Sequence, residues 1–419
     1  MAVLVLATMV FLGVNTMTKF TFHLLGLPHL PTSKHYASCA FTQKNIKLCN
    51  MLCNLGHTVY YYGAKTTLDD FDLEKYVNSK NFHFIETHTV KDIRDSYGEG
   101  DNRFEIGYDW TSKDFKHDLS SNEKKSVTLK FNAVVIEHIN KVKKDDHFLL
   151  LTQSTYQKVI ADAVNLYLTC ESGIGYRGSY AKFRAFESSY MRDFTYGSEN
   201  PFASMNGSFY DRVIPNYFDE NDIEYSDTKD DYFLFVGRMI KRKGILTAYK
   251  ATTAINAKLL IAGQGGMKTR SGSLVMTENN EFEIPSGNWE YLGLVNFEKR
   301  KGLMAKAKAV FVPTEYLEPF GGVHIEAMLS GTPVITTDFG VFSQTVINGF
   351  NGFRCNTLDD FVQACKKVGE LNPKEIRKHS EKYLMQNVAL EFDKWFTDLY
   401  RLYQSTIDHT KKGWHYISK

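Results

Sequence analysis

Four charged side chains in two short segments have the types and spacing to bind a diphosphate together with hydroxyl groups. Arg238 and Lys243 lie five positions apart, directly after an apolar stretch. Glu318 and Glu326 lie eight positions apart, around a Phe-Gly-Gly turn. Cations bind phosphate, and Arg does so through two parallel hydrogen bonds. Carboxylates accept hydrogen bonds from hydroxyls. A molecule that offers both groups is a nucleotide sugar, so the pattern predicts a nucleotide-sugar site.

The turn at Gly321 and Gly322 is followed by helix-forming residues and predicts a helix N-terminus that faces the ligand. Such an end has unpaired N–H groups and a partial positive charge, which favour a bound phosphate. We expect Glu326 to reach ribose hydroxyls and Glu318 to face the sugar. Taken alone, both glutamates also fit solvated positions. In that case Arg238 and Lys243 would also have to be ordinary surface charges. Since this would have to hold for all four residues at once, a ligand site is the stronger interpretation.

A third segment, Ile261-Ala-Gly-Gln-Gly-Gly266, is a strand followed by a glycine turn. It superficially resembles a dinucleotide fingerprint. However, Lys268 stands where the third glycine is expected, and no clear acidic partner follows at the next strand end. We therefore assign Gly263 and Gly265 to the nucleotide cleft, not to a nicotinamide or flavin site.

Strands and helices alternate in both halves of the chain, which predicts an α/β fold with Rossmann-like domains. Phe20–Leu25 is predicted as a buried strand, Tyr36–Leu55 as a helix and His57–Tyr62 as the next strand. The remaining predicted helices are Val127–Lys141, Ile245–Ile255 and Phe392–Tyr403, and the remaining strands are His147–Thr152, Val164–Thr169, Tyr232–Val236, Lys258–Ala262, Ala309–Val312, Val334–Thr337 and Gly352–Arg354.

An acidic segment without long apolar runs, residues 216–231, is the predicted linker. It separates an N-terminal domain, 17–215, from a C-terminal domain that begins at residue 232. A polar stretch from about 90 to 125 is predicted as an irregular insertion. Residues 1–16 form an apolar extension, too short for a membrane span and without the basic start of a secretory signal. We expect it to be loosely attached, with a weak peripheral membrane anchor as the alternative.

The composition fits an ordinary globular protein of 419 residues, with 43% hydrophobic and 23% charged side chains. A net charge of +2 gives no field that would attract nucleic acid. The six cysteines show no zinc spacing, so we expect no metal site, and free thiols in the cytoplasm. The basic run Lys299-Arg-Lys301 is interpreted as solvated surface.

These segments together resemble the retaining GT4 glycosyltransferases of the GT-B fold, also called glycosyl transferases group 1. The resemblance runs from about Tyr232 to Val388 and is specific, because the segments occur in the family's order. They are Val236-Gly-Arg with Lys243-Gly, Ile261-Ala-Gly-Gln-Gly, Pro313-Thr-Glu-Tyr-Leu-Glu-Pro-Phe-Gly-Gly-Val with Glu326-Ala-Met, Gly331-Thr-Pro-Val-Ile335 and Gly349-Phe-Asn-Gly352.

The resemblance implies two Rossmann-like domains that face a central cleft and close on the donor. It assigns Arg238 and Lys243 to the donor diphosphate, Glu318 to the transferred sugar and Glu326 to the ribose. The backbone amides from Phe320 to Val323, with Gly321 and Gly322 between them, would meet phosphate and sugar hydroxyls. Residues 232–390 would form the donor domain, and 391–419 a C-terminal helix that crosses back to the N-terminal domain.

The N-terminal half matches less well. Gly26 stands where such enzymes pass a glycine loop near the donor phosphates, although this chain has one glycine there and not a pair. Segments around Cys39, Gly173-Ile-Gly-Tyr-Arg-Gly178 and Phe183–Glu187 resemble a subgroup common in viruses and bacteria. The candidates for the acceptor side, each also compatible with a structural role, are His35, Lys44, Arg184 and Glu187.

Two positions depart from the family pattern. Many members place a His after the fourth strand of the first domain, but Leu151–Gln157 has none, and His147 stands too early to replace it. Of the polar residues there, Gln153, Ser154 or Gln157 is expected to hydrogen-bond a sugar hydroxyl, but none is a base at neutral pH. Gln344 stands where a Glu is usual. Both changes raise the prospect of altered sugar specificity or reduced activity.

The favoured interpretation is a metal-independent glycosyltransferase without a cofactor. It would move a sugar, with retention, from a nucleotide sugar to a glycan, glycoprotein or glycolipid acceptor, and UDP- and GDP-sugars are the favoured donors. Glu318, Arg238 and Lys243 would be the catalytic residues. Two alternatives stay open. One is a nucleotide-sugar epimerase or sugar phosphorylase of the same fold, and the other is an inactive glycan-binding relative.

Overall fold

The computed structural model describes residues 18–34, 36, 39–66, 71–97, 125–199, 208–276 and 283–407. These residues form two α/β domains, each built on a parallel sheet, and a small antiparallel sheet. The predicted extension at residues 1–16 lies outside the described residues, as do His35, most of the predicted insertion and the last twelve residues, 408–419.

The N-terminal sheet is parallel and has eight strands. They follow the order β2-β3-β1-β5-β6-β7-β8, with β4 also paired to β3. The strands are β1 (Thr21–Leu25), β2 (Pro31–Thr32), β3 (Thr58–Lys65), β4 (Phe82–Glu86), β5 (Phe148–Leu151), β6 (Leu168–Ile174), β7 (Phe183–Phe186) and β8 (Arg212–Val213).

Helices cover both faces of this sheet, because alternate side chains of each strand point to opposite faces. In β5, Phe148 and Leu150 belong to one buried cluster, whereas Leu149 and Leu151 belong to another. The first cluster includes α1, and the second includes α4 and α5. The helices of this domain are α1 (Ala40–Asn54), α2 (Leu73–Val77), α3 (Val90–Tyr97), α4 (Ser126–Val142), α5 (Lys158–Val164) and α6 (Ser189–Glu199).

The C-terminal domain repeats the architecture with a six-stranded parallel sheet in the order β14-β10-β9-β15-β16-β17. A three-stranded antiparallel sheet, β11-β12-β13, follows the glycine turn after β10. The strands are β9 (Phe233–Val236), β10 (Leu259–Ala262), β11 (Gly266–Lys268), β12 (Leu274–Met276), β13 (Glu283–Ile284), β14 (Trp289–Gly293), β15 (Ala309–Val312), β16 (Val334–Thr337) and β17 (Gly352–Cys355).

The last described helix packs on the N-terminal domain, although it follows the C-terminal one. Phe392, Trp395 and Phe396 are buried in the same cluster as Phe22 and Phe148. The helices here are α7 (Ile245–Ala254), α8 (Phe297–Lys306), α9 (Gly322–Leu329), α10 (Phe342–Thr345), α11 (Leu358–Lys367), α12 (Pro373–Ser380) and α13 (Met385–Ile407). None of the helices within the described residues has the length and apolar character needed to cross a bilayer.

The chain passes between the domains at two adjacent places. Near the predicted linker, the amide of Phe218 donates to the carbonyl of Tyr383 at 3.0 Å, and the Phe218 carbonyl accepts from Met385 at 2.9 Å. The two crossing segments are therefore hydrogen-bonded to each other.

Some local predictions from the sequence were wrong or incomplete. The predicted strand Val164–Thr169 begins too early, because Val164 is the last residue of α5 and β6 starts at Leu168. Residues Val90–Tyr97, predicted as irregular, form α3, where Val90 and Ile93 are buried. The antiparallel sheet β11-β12-β13 was not predicted, because its strands have only two or three residues.

The carboxyl ends of the central strands place the predicted site. In the C-terminal sheet, β9 has β10 on one side and β15 on the other, so the strand order reverses between β9 and β15. Ligands of open α/β sheets bind outside the carboxyl ends at such a point. Arg238 follows β9 and Glu318 follows β15, which brings the two sequence segments together.

Candidate active site

Glu318, Lys243 and Tyr316 form a hydrogen-bonded triangle at this sheet edge. Lys243 Nζ lies 2.9 Å from Glu318 Oε2, and the Tyr316 hydroxyl lies 2.7 Å from the same oxygen. Lys243 Nζ also donates to the Tyr316 hydroxyl at 2.7 Å. Burial, with the nearby Glu318 carboxylate, raises the pKa of Tyr316, so the phenol stays protonated and donates to Glu318. One carboxylate oxygen is thus fixed by two donors.

The backbone around Lys243 is fixed by close packing. Lys241–Lys243 form a single 3-10 turn that ends at Gly244, whose φ is +77°. A Cβ at Gly244 would overlap the carbonyl oxygen of Pro313. Only glycine therefore lets the turn approach the strand that leads to Glu318.

Arg238 extends from the adjacent loop and is half-buried. The next amide, that of Met239, donates to the Gln264 carbonyl at 2.7 Å and ties this loop to the glycine turn after β10. Within the part of the chain that the structure describes, no carboxylate lies within ion-pair distance of Arg238. A half-buried guanidinium without an anionic partner is suited to an anionic ligand.

The Phe-Gly-Gly turn places a helix N-terminus beside these cations. Gly321 has a φ of +74°, and α9 begins at Gly322. Phe320 is buried, and its ring stacks at 6.4 Å on Phe218, so it anchors the turn from behind. The first N–H groups of a helix have no partner within the helix. The amides at Gly322 and Val323 are therefore available to an anion.

His324 holds this turn from the buried side. Its Nδ1 contacts the Gly321 carbonyl, and its Nε2 lies 2.8 Å from the Thr345 hydroxyl. Since a carbonyl only accepts, Nδ1 carries the hydrogen and Nε2 accepts from Thr345. Burial lowers the pKa of His324 to about 4, so the neutral ring that this arrangement requires persists at neutral pH.

Glu326 is not part of the cleft wall, but it contacts a residue that is. Its Oε1 is 3.2 Å from Arg300, whose side chain does line the cleft. Its Oε2 is buried and has no hydrogen-bond partner among the described residues. A buried carboxylate oxygen without a partner is costly and is suited to a hydroxyl donor from a ligand. The interpretation of the run around Arg300 as solvated surface was therefore wrong for Arg300 itself.

The glycine turn after β10 has two glycines with different environments. Gly263 has a φ of +147°, and a Cβ there would overlap the carbonyl oxygen of Gly237. The loops after β9 and β10 therefore touch through their backbones. Gly265, at a φ of +89°, lies against Met239 and not in the cleft wall.

A cleft of about 980 Å³ lies between the two domains and collects most of the predicted residues. Its wall includes Arg238, Lys243, Gly263, Glu318, Gly321, Gly322 and Val323. Gly26, Gly265, Phe320 and Glu326 are not part of that wall. The wall carries a net positive charge. Among the described wall residues, Glu318 is the single carboxylate, and the five cationic side chains are Arg177, Arg238, Arg242, Lys243 and Arg300.

Gly26 lies at the N-terminal side, behind the cleft. A Cβ at this position would meet the Tyr62 carbonyl oxygen at 2.5 Å, so the glycine permits close packing against β3. The loop that begins at Gly26 reaches the cleft only at His29.

The polar residues after β5 have separate roles. Gln157 makes structural hydrogen bonds within the domain. Its Oε1 accepts from the Thr152 amide at 2.8 Å, and its Nε2 donates to the Gly26 carbonyl. Gln153 and Ser154 line the cleft. The Ser154 hydroxyl contacts the Gly178 carbonyl, which leaves Gln153 to face a ligand.

The candidates for the acceptor side are engaged elsewhere. Lys44 is paired with buried Glu187 and donates to the Gly173 carbonyl at 2.8 Å. Arg184 pairs with Glu199 at 2.8 Å and with Asp211 at 3.0 Å. None of these side chains lines the cleft.

Three side-chain hydrogen bonds near the N-terminus of α6 join the two domains. Ser188 donates to the carbonyl of Pro319 at 2.6 Å, directly beside Glu318. Gln344 donates to Ser189 at 2.6 Å, and the Tyr190 and Ser343 hydroxyls lie 2.8 Å apart. Gln344, a departure from the family pattern, thus has an interdomain partner.

Some residues at the site were missed in the sequence. Tyr316 lies two positions before Glu318, within the segment that starts at Pro313. This spacing could have predicted that the two side chains point the same way. The interdomain contacts of α6 had no such signal, since serines at a helix start are common capping residues. Among the described residues, no cluster of His, Cys, Asp or Glu has the geometry of a metal site.

Comparison with known proteins agrees with this arrangement. The family model for glycosyl transferases group 1 matches residues 218–384. An uncharacterised glycosyltransferase of Methanocaldococcus jannaschii is 37% identical over 123 residues, covering 28% of this chain and 30% of that protein. Glycogen synthase of Mycobacterium tuberculosis is 28% identical over 169 residues, covering 39% of each protein. The matches to these two relatives span well under half of their lengths.

Solved structures match over nearly the whole chain. Sucrose-phosphate synthase from Thermosynechococcus elongatus gives a TM-score of 0.60 at 17% identity, covering 91% of this chain and 99% of that one. AviGT4, a glycosyltransferase of avilamycin A biosynthesis, gives 0.59 at 16% identity, covering 91% and 98%. The protein therefore has the GT-B fold, and residues 218–384, which span most of its C-terminal domain, match the family model of the glycosyl transferases group 1.

Proposed function

We propose that the protein is a glycosyltransferase that moves a sugar from a nucleotide sugar to a saccharide-containing acceptor. The triangle of Lys243, Tyr316 and Glu318 carries this proposal. It lies beside Arg238, which has no carboxylate within ion-pair distance among the described residues. It combines a cationic diphosphate site with a fixed carboxylate at the carboxyl ends of β9 and β15. The group 1 match over residues 218–384 supports the same class.

In this proposal the donor diphosphate lies between Arg238, Lys243 and the amides at the start of α9. These groups stabilise the negative charge that develops on the leaving phosphate, without a metal or other cofactor. Glu318, held through Oε2, uses Oε1 to orient hydroxyls of the transferred sugar. The leaving phosphate oxygen takes the acceptor proton on the same face of the sugar, which gives retention of configuration without a protein nucleophile.

In this proposal the nucleoside lies farther along the cleft, where Arg300 lines the wall in front of Glu326. The unpaired Oε2 of Glu326 accepts from a ribose hydroxyl, and Arg300 orients that carboxylate from the cleft side. UDP is the first nucleotide to test, because the Anabaena HepE protein, a structural neighbour with a TM-score of 0.50 and 13% identity, was solved with UDP and glucose. The glycan, glycoprotein or glycolipid acceptor would enter from the N-terminal wall.

Two steps test the function. A thermal-shift screen against UDP-, GDP-, ADP- and dTDP-sugars comes first, because a ligand of the folded state raises the melting temperature. Transfer from the stabilising donor to an acceptor panel is then measured for wild type and E318A. The matched control is E315A, since Glu315 is exposed, three positions away and outside the cleft wall.

We expect E318A to fold normally and to lose transfer, while E315A stays active. Full transfer by E318A would overturn the proposal. An epimerised donor in the absence of acceptor would point to an epimerase. A donor that binds without hydrolysis or transfer over the whole panel would instead indicate a glycan-binding relative.

A further inference from the structure

A loop of the N-terminal wall, residues 174–181, places Tyr176 and Arg177 in the cleft, and the donor site gives them no role. The loop is anchored by Glu171, whose side chain is fully buried. Glu171 Oε1 accepts from the amides of Tyr180 at 2.6 Å and Ala181 at 2.8 Å. Its Oε2 accepts from the Tyr176 hydroxyl at 2.8 Å. One buried carboxylate thus fixes both the backbone and the aromatic ring.

Close approaches fix the loop from its other sides. A Cβ at Gly175 would meet Glu187 Oε2 at 2.5 Å, so a larger residue there would displace the Glu187 carboxylate. Gly178 has a φ of +83°, and its carbonyl accepts from Ser154. Ser154 is not a glycine and yet has a φ of +53°. Strained backbone of this kind persists where the surroundings over-determine it, and it clusters at ligand sites.

The loop presents an aromatic face and a cation to the cleft. The rings of Tyr176 and Phe41 are 5.8 Å apart, and both line the wall. The Arg177 guanidinium lies 5.3 Å from the ring centroid of Phe194, which supports it from one side. Arg177 is exposed, and no carboxylate of the described residues is within ion-pair distance. Its charge is therefore available to a ligand.

In the proposed function the donor diphosphate does not contact the Arg177 guanidinium. A nucleotide-sugar diphosphate carries about one negative charge per phosphate. Arg238 and Lys243 of the opposite domain, with the helix N-terminus, already match that charge. Since Glu318 is the single carboxylate among the described wall residues, the occupied cleft stays positive on the N-terminal side, where the acceptor enters. Such a wall attracts a second anion.

We infer that the acceptor is an anionic saccharide, whose ring packs on Phe41 and Tyr176 and whose phosphate or carboxylate is bound by Arg177. The inference rests on the proposed function and names the acceptor class of the same cleft. An aromatic face suits the apolar side of a sugar ring, and the planar guanidinium binds either anion in bidentate fashion.

The test uses the full chain, first titrated calorimetrically with UDP, GDP, ADP and dTDP. With the tightest nucleotide at saturation, glucose 6-phosphate, glucuronate and glucose are titrated in turn. Wild type, R177Q and R401Q are compared. Arg401 is an exposed arginine of α13, outside the cleft, with a surface contact to Asp398 at 4.0 Å, so R401Q is the matched control.

In wild type and R401Q, at least one charged sugar is expected to bind about tenfold tighter than glucose, as one charge-assisted hydrogen bond provides. In R177Q that preference should vanish, with nucleotide affinity unchanged. A preference for glucose 6-phosphate alone assigns a phosphate, and one for glucuronate alone assigns a carboxylate. Equal or absent binding of all three sugars, or an unchanged preference in R177Q, overturns the inference. If no nucleotide binds in the first titration, the proposed function itself fails.

Discussion

Each domain contains a lysine–glutamate pair of similar burial, and the pair of the C-terminal domain lines the cleft whereas the other does not. In the C-terminal domain, Lys243 and Glu318 have side-chain exposures of 24% and 10%. In the N-terminal domain, Lys44 and Glu187 have exposures of 15% and 7%. Each lysine also binds a third group, the Tyr316 hydroxyl or the Gly173 carbonyl.

The difference lies in position, not in chemistry. Lys243 and Glu318 follow the central strands where the sheet order reverses, so a ligand can reach them. Lys44 projects from α1 behind the loop that carries Arg177, and its pair supports that loop. A half-buried ion pair is therefore no sign of function by itself. Removing the first pair should cost activity, and removing the second should cost stability.

The largest effect is expected for K243Q. In the proposed function Lys243 stabilises the leaving diphosphate, so its loss should lower kcat about 100- to 1000-fold, as for removal of one fixed donor at a developing charge. The melting temperature should stay near that of wild type, because Tyr316 still donates to Glu318. The control is K241Q, from the exposed start of the same turn. If both variants transfer sugar at the same rate, Lys243 has no role at the phosphate.

Removing the cation of the other pair, in K44M, should act on stability. It leaves the buried Glu187 carboxylate without its cation, which should lower the free energy of unfolding by about 3 kcal/mol. Urea denaturation measures the change. K130M removes a surface pair with Asp92, with exposures of 49% and 27%, and should cost less than about 1 kcal/mol. Equal costs for K44M and K130M would remove the structural role of the N-terminal pair.

A smaller effect on stability is expected from the pH dependence of His324, which holds the turn at Gly321. The pKa of His324 is about 4 in the folded protein, below the ordinary 6.5, so the unfolded chain protonates first. The stability that neutral His324 provides is complete above pH 6.5 and is lost as the pH falls toward 4. Between pH 6.5 and 5 the loss is about 2 kcal/mol.

Urea denaturation of wild type and H324Q isolates this contribution. The buried histidines His23 and His88, with pKa values lowered by burial to about 3 and 4, titrate in both proteins and cancel. The stability difference between the two proteins should therefore shrink by that amount from pH 6.5 to 5. A difference that does not change with pH would show that the ring near Gly321 is not held neutral.

The sequence predicted the position of residues in the C-terminal wall of the cleft better than in the N-terminal wall, for a physical reason. Around Arg238 and Glu318, short motifs place side chains directly at strand ends, so spacing along the chain becomes distance in space. Gly263 and Gly321 were recognisable because backbone approach demands glycine. In the N-terminal domain the partners are remote in sequence. The ion pair between Lys44 and Glu187, for example, spans 143 positions and leaves no local pattern.

The fold shows the same limit. Buried strands such as β15 and β16 were predicted with correct bounds from their apolar runs. The start of β6 was not, because an apolar run at Val164 serves the end of a helix equally well. Arg177 lies in a segment that the sequence analysis singled out, but no role was predicted for it. Its exposure in the cleft depends on the buried anchor at Glu171.

The most direct test of the donor site is a crystal structure with the nucleoside diphosphate that binds most tightly. We predict density for its two phosphates between Arg238 Nη atoms, Lys243 Nζ and the amides of Gly322 and Val323, with a ribose hydroxyl at Glu326 Oε2. Phosphates bound on the N-terminal wall, away from both cations and from the start of α9, would contradict the account.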